Sequence, residues 1–339
     1  MDMEDFRESI KETLDFYLKE EKRLVSLLAT LPRGSIRKKK INGNEYYYLK
    51  YRKGKEIIEE YLGKTIPEGL IEGLRKRKQI EKELKKIRET IEFLKYKKEK
   101  SIALIKPLED FFKMMTSKNL WDEGIEIIGA WCFAIYQKYL PIRQYPLKTQ
   151  DIDILIPYPY KGKMFDIANY LKQLGFIEHI NPDYSTYFTG YGFKIEFLAP
   201  EKGKGHARSP FVKNLGVSPQ MLRYMSVLFQ ESIVFSIARG IKIRVPAPSA
   251  FMLHKLLVAS KRKTEGKMEK DLRQAVYTGE YVIKIEKERE RLLKLLSEIP
   301  GKWRKTIQKN LEIAKDLLPQ EETIIKALID IIKPLPHKI

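Results

Sequence analysis

Cysteine, histidine and long apolar runs are scarce in this sequence. Its single cysteine, Cys132, excludes an internal disulfide framework and favours a reducing compartment. With four histidines in the whole chain, a zinc site built from cysteine and histidine is not expected. No apolar stretch reaches the length of a membrane span, and the acidic first residues are unlike a signal peptide. We therefore predict a cytoplasmic protein with no membrane partner.

Acidic residues are outnumbered, since 65 Lys and Arg residues face 45 Asp and Glu residues and the formal net charge is +20. An excess of this size draws a protein to polyanions, and RNA or DNA is the first candidate partner. Abundant Lys–Glu pairs are also typical of a thermophilic surface, but such a surface does not explain the imbalance. The chain of 339 residues is 43% hydrophobic, which is enough for two or three compact units.

Residues 1–100 predict a separate basic arm in which a β-meander lies between two helices. Apolar residues recur at helical spacing before Pro32, and again from Pro67 to about Lys100. Between these helices, Asn42-Gly43 is typical of a tight hairpin turn. The intervening stretch of about 30 residues is therefore predicted to form three antiparallel strands.

Three interpretations of the arm remain open. Its lysines and arginines interleave with Tyr46, Tyr47, Tyr48 and Tyr51, which is the chemistry of a surface that follows a nucleic-acid backbone and stacks bases. The same pattern is consistent with a sheet whose tyrosines pack on the helices while its lysines stay solvated. The long helices also suit dimerisation, so a homodimer formed through them is the third interpretation.

Alternating acidic and apolar residues mark the strand predicted at Asp151–Ile156. Side chains two apart on a strand share a face, so Asp151 and Asp153 point the same way. Two carboxylates held this close repel each other unless a cation lies between them. Glu196, in a second apolar strand, offers a third acid, and such an oxygen-rich set is suited to Mg²⁺ or Mn²⁺.

A glycine stands between the strand predicted at 125–128 and the helix predicted at 131–139. Before them, Pro107 indicates a short connecting helix within residues 101–119. Gly129 is consistent with an ordinary loop residue. It is also suited to bring phosphate oxygens close to the backbone amides at the start of the helix. The acid-x-acid strand that follows favours this second interpretation.

These residues resemble a known superfamily. The turn Gly129-Ala130, the strand motif Asp151-Ile152-Asp153 and the strand motif Ile195-Glu196-Phe197 are similar to the pattern of the DNA polymerase β-like nucleotidyltransferases. The resemblance covers about residues 123–277, and Ala130 stands where the superfamily usually has Ser or Gly. More narrowly, the sequence resembles a bacterial and archaeal branch of predicted nucleotidyltransferases at Thr149–Asp153, His254–Arg262 and Lys270–Ala275. This branch is distantly related to some toxins of toxin–antitoxin systems.

The resemblance implies a fold and a mechanism. The fold is α+β, with a mixed sheet flanked by helices over residues 101–278, and the amphipathic pattern after it predicts a C-terminal helical bundle over 279–339. The mechanism is in-line attack of a hydroxyl on the α-phosphorus of an NTP, with release of pyrophosphate. Asp151, Asp153 and Glu196 would be both the catalytic residues and the metal ligands.

A nucleotide site is expected beside these acids. The residues predicted to bind the nucleotide are Gly129, Ala130, Lys255, Lys261 and Arg262. Departure of pyrophosphate needs a cation besides the metal, and Lys255 is favoured because it stands in an otherwise apolar helix. Solvated lysines are the alternative for each basic residue. His254 is expected to be a packed core residue rather than a base.

We predict Mg²⁺-dependent transfer of a nucleoside monophosphate to a hydroxyl acceptor, with RNA such as tRNA as the favoured acceptor. The relation to toxins makes an antitoxin a candidate partner. As an alternative, the acid cluster no longer catalyses and the protein is a nucleic-acid-binding or protein-interaction module. A metal-dependent phosphohydrolase that uses the same acids is less favoured, because no histidine cluster accompanies them.

Overall fold

The computed structural model describes residues 3–145, 151–201, 203, 208–238, 240–262 and 264–333. The chain forms two compact units, one comprising Met3–Ser101 and the other beginning at Ile102. Each unit has its own hydrophobic core. Among the described helices, none combines the length and the apolar character needed to cross a membrane.

The first unit contains the predicted meander between two helices. Its elements are α1 (Met3–Thr30), β1 (Ser35–Ile41), β2 (Asn44–Lys53), β3 (Glu56–Gly63) and the first part of α2 (Leu70–Ser117). The three strands pair antiparallel in chain order. Helix residues such as Leu24 and Ile87 form the apolar core of the unit, and among the described residues this core includes no side chain of the meander.

The short connecting helix predicted around Pro107 is wrong, because residues Leu70–Ser117 form one helix, α2. Proline lacks the N–H of one helical hydrogen bond and its ring crowds the preceding turn. In a helix of 48 residues the loss of one hydrogen bond is tolerated. The apolar face that follows, with Phe111 and Phe112 buried, stabilises the helix beyond the proline.

The second unit is built on a mixed sheet, and the predicted α+β class is confirmed. Its sheet strands are β4 (Glu126–Ile128), β5 (Asp151–Leu155), β6 (Ile177–Ile180), β7 (Thr186–Gly190), β8 (Phe193–Pro200) and β9 (Gln220–Leu222). The strand order is β4-β5-β8-β7-β6, with β9 paired to β8. β8 runs parallel to β5 and β9, whereas the other pairs are antiparallel.

Helices and a second hairpin complete this unit. They are α3 (Gly129–Tyr139), α4 (Ile167–Gln173), β10 (Ser232–Ala238), β11 (Ile241–Pro246), α5 (Pro248–Ala259), α6 (Glu265–Lys284), α7 (Glu286–Glu298), α8 (Gly301–Leu317) and α9 (Glu322–Ile332). Apolar residues of one sheet face, including Ile152 and Ile195, are fully buried in one core cluster. On the other face, Leu155 and Leu198 are buried in a second cluster that includes residues of α5 and α6.

The predicted boundary between residues 278 and 279 lies inside α6. Gly279 lies within this helix, where it packs closely against α9. A Cβ at this position would lie 2.7 Å from Cδ1 of Leu328 in α9, so a larger residue would require the Leu328 side chain to shift. The C-terminal helices therefore share their core with α5 and α6.

A buried acid, Glu126 of β4, links the sheet to the β10–β11 hairpin. Its Oε1 accepts hydrogen bonds from the hydroxyl of Ser232 and from Nε of Arg244. Its Oε2 is buried without a hydrogen-bond partner among the described residues. Burial outweighs these two contacts and raises the pKa of Glu126 to about 7.

Replacing Glu126 by glutamine is expected to change how stability depends on pH. The folded-state pKa of Glu126 lies above its ordinary value of 4.5, so the protonated acid stabilises the fold at low pH. That stabilisation is lost as the pH rises through about 7. As the pH rises from 4.5 to 8, the free energy of unfolding of the Gln variant should rise by about 3 kcal/mol relative to that of the wild type, as measured by urea unfolding. A gain no larger than that of Glu298→Gln, an exposed control, would contradict this account.

Candidate active site

Three acids lie on one face of the central sheet. Asp151 and Asp153 are two residues apart on β5, and Asp153 stands directly opposite Glu196 on the parallel strand β8. The same register sets Lys194 opposite Asp151. Backbones of paired strands are about 5 Å apart, so these side chains emerge as neighbours. The structure thus brings together the three acids singled out from the sequence.

The surroundings of Asp153 disfavour the ionised form of its carboxyl group. Burial, followed by the negative charges of Glu196 and Asp151, raises the pKa of Asp153 to about 6. Positive charge from Lys255 and Arg262 acts in the opposite direction without restoring the ordinary value. The carboxylate therefore lies where additional positive charge is stabilising.

Lys194 was missed as a site residue in the sequence. Its ammonium donates a 2.7 Å hydrogen bond to Oε1 of Glu196. Burial lowers the pKa of Lys194, but this hydrogen bond and the charges of Glu196 and Asp151 outweigh it, so the pKa is raised. The alternation Lys194-x-Glu196 placed both residues on one face, but the sequence does not reveal that Asp151 stands opposite the lysine.

Gly129 lies against Asp153 where β4 turns into α3. Its φ is +67°, and a Cβ at this position would lie 2.1 Å from Oδ2 of Asp153. Only glycine allows the carboxylate to come this close to the turn. Ile128 stands at the N-cap of α3 and offers no side-chain acceptor to the first amides of the helix, at Gly129 and the buried Ala130.

Helices α5 and α6 add a basic layer held together by Asp271. Buried Lys255 donates a 2.8 Å hydrogen bond to Oδ1 of Asp271, and Nε of Arg262 donates to Oδ2. Burial alone would raise the pKa of Asp271, but the two cations outweigh burial and lower it. The side chain of Arg262 is still 41% exposed, so it remains accessible to a ligand.

The structure does not bring Lys261 to the acids. It is exposed in the turn after α5, and within the described residues it forms no ion pair. His254 of α5 is buried, as expected for a core residue. Burial lowers the pKa of His254 to about 3, which keeps the ring neutral.

Lys270 of α6 is a further cation that sequence reasoning missed. Burial and the charge of Lys255 lower the pKa of Lys270, whereas Asp271, Asp153 and Asp151 act to raise it. The charges of the acid pair on β5 therefore act on the ammonium of Lys270. No acid in the described part of the chain forms an ion pair with it. The sequence does not separate Lys270 from Lys267, because both are lysines on the same polar helix.

Mg²⁺ suits the chemistry of the acid set, because carboxylate oxygens are its preferred protein ligands. In the described part of the chain, however, no three acidic, histidine or cysteine side chains are arranged as a metal site. Glu196 accepts a hydrogen bond from Lys194. The strand register places Glu196 directly opposite Asp153, and its negative charge contributes to the raised pKa of Asp153. Thr149 and Gln150, which precede this pair, lie outside the described residues.

Comparisons with known proteins cover both units. Residues 106–295, more than half of the chain, match the model of a family described as "Nucleotidyltransferase". Residues 7–70 match the model of a domain of unknown function, DUF6788. A solved antigenic nucleotidyltransferase-like protein from Paracoccidioides brasiliensis is 15% identical, with 64% of this chain and 93% of that chain covered and a TM-score of 0.35. No curated protein matches the sequence.

Proposed function

This chain belongs to the nucleotidyltransferase family whose model spans residues 106–295, and we propose that it transfers a nucleoside monophosphate from an NTP to a hydroxyl group, releasing pyrophosphate. One observation carries the proposal: Asp153 is aligned with Glu196 and lies against the Gly129 turn at the start of α3. Acids and phosphate-binding amides are thereby held within one small region. Attack on an α-phosphorus requires both.

Asp151, Asp153 and Glu196 would hold Mg²⁺ or Mn²⁺ at this face. A bound divalent ion supplies positive charge to the reacting phosphoryl group and makes the attacking hydroxyl more acidic. Glu196 stands at the edge of the acid cluster that faces β7, so we assign to it the proton of the attacking hydroxyl. The raised pKa of Asp153 is consistent with a site that is completed by a cation.

The basic layer on α5 and α6 would bind the triphosphate. Lys255 and Arg262 are fixed by Asp271, so their charges are held in place before substrate arrives. Lys270 lies in the same field without an ion-pair partner among the described residues. Negative charge develops on the leaving pyrophosphate, and these cations would stabilise it. The amides at Gly129 and Ala130 would contact the phosphates from the opposite element, α3.

Replacing Lys270 by alanine is expected to lower kcat/KM for the NTP by about 10- to 100-fold, because one charge-assisted contact to the triphosphate is lost. Lys267→Ala is the matched control, since Lys267 is an exposed lysine three residues earlier on the same helix. Steady-state kinetics with varied NTP would measure both variants. Equal effects of the two substitutions would remove Lys270 from the triphosphate site.

RNA is the acceptor we propose, on two grounds. The formal net charge of +20 favours a polyanionic partner. In the arm, Tyr48 and Tyr61 form a ring pair 5.3 Å apart on one meander face, and Nζ of Lys39 lies 4.5 Å from the Tyr48 ring. Tyr61 is 57% exposed, so this face remains open to bases and phosphates.

Label transfer tests the proposed function. The purified protein would be incubated with each α-³²P-labelled NTP, Mg²⁺ or Mn²⁺, and total cellular RNA and protein, and resolved on a denaturing gel. We expect label in RNA. Label on protein would overturn RNA as the acceptor while keeping nucleotidyl transfer. No label with RNA still bound would favour the alternative of an inactive nucleic-acid-binding module.

A further inference from the structure

A row of polar side chains crosses the sheet from the acid cluster toward its far edge. Asp153 on β5 is opposite Glu196 on β8, Glu196 is opposite Tyr187 on β7, and Tyr187 is opposite His179 on β6. Opposed residues share a face, so all four side chains emerge from the same side of the sheet. The acids occupy one end of this row and two aromatic rings occupy the other.

The two rings form a fixed platform. Tyr187 and His179 are stacked, with ring centroids 4.8 Å apart and planes 15° from parallel. Nε2 of His179 is 2.7 Å from the hydroxyl of Thr189, which fixes the imidazole orientation. Nζ of Lys194 lies 4.4 Å from the centre of the Tyr187 ring. The side chains of this platform and its neighbours are partly exposed, so a ligand can reach them: Tyr187, His179, Thr189 and Lys194.

The two sides of the acid cluster differ in chemistry. On the β5 side, Lys255 of α5, Arg262 of the following turn and Lys270 of α6 contribute concentrated positive charge. On the β7 side, the platform offers aromatic surface and the ammonium of Lys194. A triphosphate is the most highly charged part of either substrate and belongs with the concentrated cations. The aromatic side is left for the molecule that supplies the hydroxyl.

We propose that Tyr187, His179 and Lys194 bind the 3′-terminal nucleoside of a single-stranded RNA acceptor. Its base would stack on the face of Tyr187 that is turned away from His179, and the ammonium of Lys194, which lies over the Tyr187 ring, would move to the phosphate of the RNA. The adjacent Glu196 would then face the terminal hydroxyl. This inference rests on the proposed function, because it takes the acid cluster as the place of nucleotidyl transfer.

The reaction at this site balances without a further reactant. The 3′ oxygen of the RNA forms a bond to the α-phosphorus of the NTP. The bond from that phosphorus to the bridging oxygen of pyrophosphate breaks, and its electrons leave with pyrophosphate. The hydroxyl proton passes to the carboxylate of Glu196.

Stacking can be measured without turnover. A short single-stranded RNA with 2-aminopurine at its 3′ end would be titrated with the full-length Asp153→Asn protein. We expect its fluorescence to be quenched by stacking, and Tyr187→Ala in that background to weaken the quenching interaction by about tenfold. Tyr187→Phe should retain the quench. An RNA with 2-aminopurine at its 5′ end should show no dependence on Tyr187.

Tyr184 provides the matched control. It is 52% exposed in the turn before β7 and contacts Arg208 rather than the platform. Tyr184→Ala should leave the quench unchanged. Quenching that is insensitive to Tyr187→Ala, or equal for the 5′ and 3′ probes, would overturn the proposed acceptor site. The dependence of the quench on Tyr187 is the readout, because bases that stack on tyrosines of the arm would be quenched whether or not Tyr187 is present.

Kinetics separates this inference from the proposed function. In the active protein, Tyr187→Ala should raise KM for RNA by about tenfold and leave KM for the NTP unchanged. An unchanged KM for RNA would overturn the acceptor site while nucleotidyl transfer stands. A wild-type protein that transfers no label to any acceptor would overturn the proposed function, and the quenching experiment would still decide whether the platform binds RNA.

Discussion

Asp153→Asn is expected to lower kcat for nucleotidyl transfer by at least about a thousandfold, because it removes the central carboxylate of the acid cluster. The variant should also be more stable than the wild type at neutral pH. Burial and the neighbouring acids raise the pKa of Asp153 to about 6, so the ionised carboxylate destabilises the fold above that pH. Asparagine removes this charge with little change in shape. We expect a gain of about 1–3 kcal/mol in the metal-free protein.

Label transfer and thermal unfolding of the same preparations would measure the two effects. Asp122→Asn is the control, since Asp122 is exposed and lies outside the site. It should leave both activity and stability near those of the wild type. A stable but fully active Asp153→Asn protein would contradict the assignment of this residue, and a loss of stability would contradict the electrostatic argument.

Gly129→Ala should lower kcat/KM by about a hundredfold, because misplacement of a reacting group by about 1 Å has effects of this size. The new Cβ would lie 2.1 Å from Oδ2 of Asp153, so the carboxylate must move. The positive φ of +67° is also unfavourable for alanine and adds a loss of about 1–2 kcal/mol in stability.

Gly240→Ala separates these two effects. Gly240 has a similar φ of +78°, but a Cβ there would have no neighbour within 4 Å. Both variants should therefore lose stability through the positive φ, and only Gly129→Ala should lose activity. Urea unfolding and label transfer would test this. Equal activities of the two variants would show that Gly129 does not position Asp153.

The acid cluster was accessible from the sequence because strand periodicity determines which side chains share a face. Alternation placed Asp151 and Asp153 together and set Glu196 in a second apolar strand. The register between distant strands is not a local property, so the sequence did not reveal that Glu196 stands opposite both Asp153 and Tyr187. The aromatic platform therefore emerged only from the fold.

The basic layer shows the same limit. Lys255 stood out as a lysine in an apolar helix, and its ion pair with Asp271 of the next helix explains how it is buried. Lys270 did not stand out, because its orientation toward the acids depends on how α6 packs against the sheet. Pro107 indicated a helix boundary that is absent, and the boundary predicted between residues 278 and 279 lies within α6, since tertiary packing overrides local preferences.

The position of the label in the NTP tests the central claim most directly. The wild-type protein would be incubated with RNA and either α-³²P- or γ-³²P-labelled NTP, with Asp153→Asn as the inactive control. We predict that the wild-type protein transfers the α-label to RNA and releases the γ-label in pyrophosphate. The Asp153→Asn protein should neither label RNA nor release pyrophosphate. Transfer of the γ-label to RNA, or its release as orthophosphate with no label in any acceptor, would contradict nucleotidyl transfer at this site.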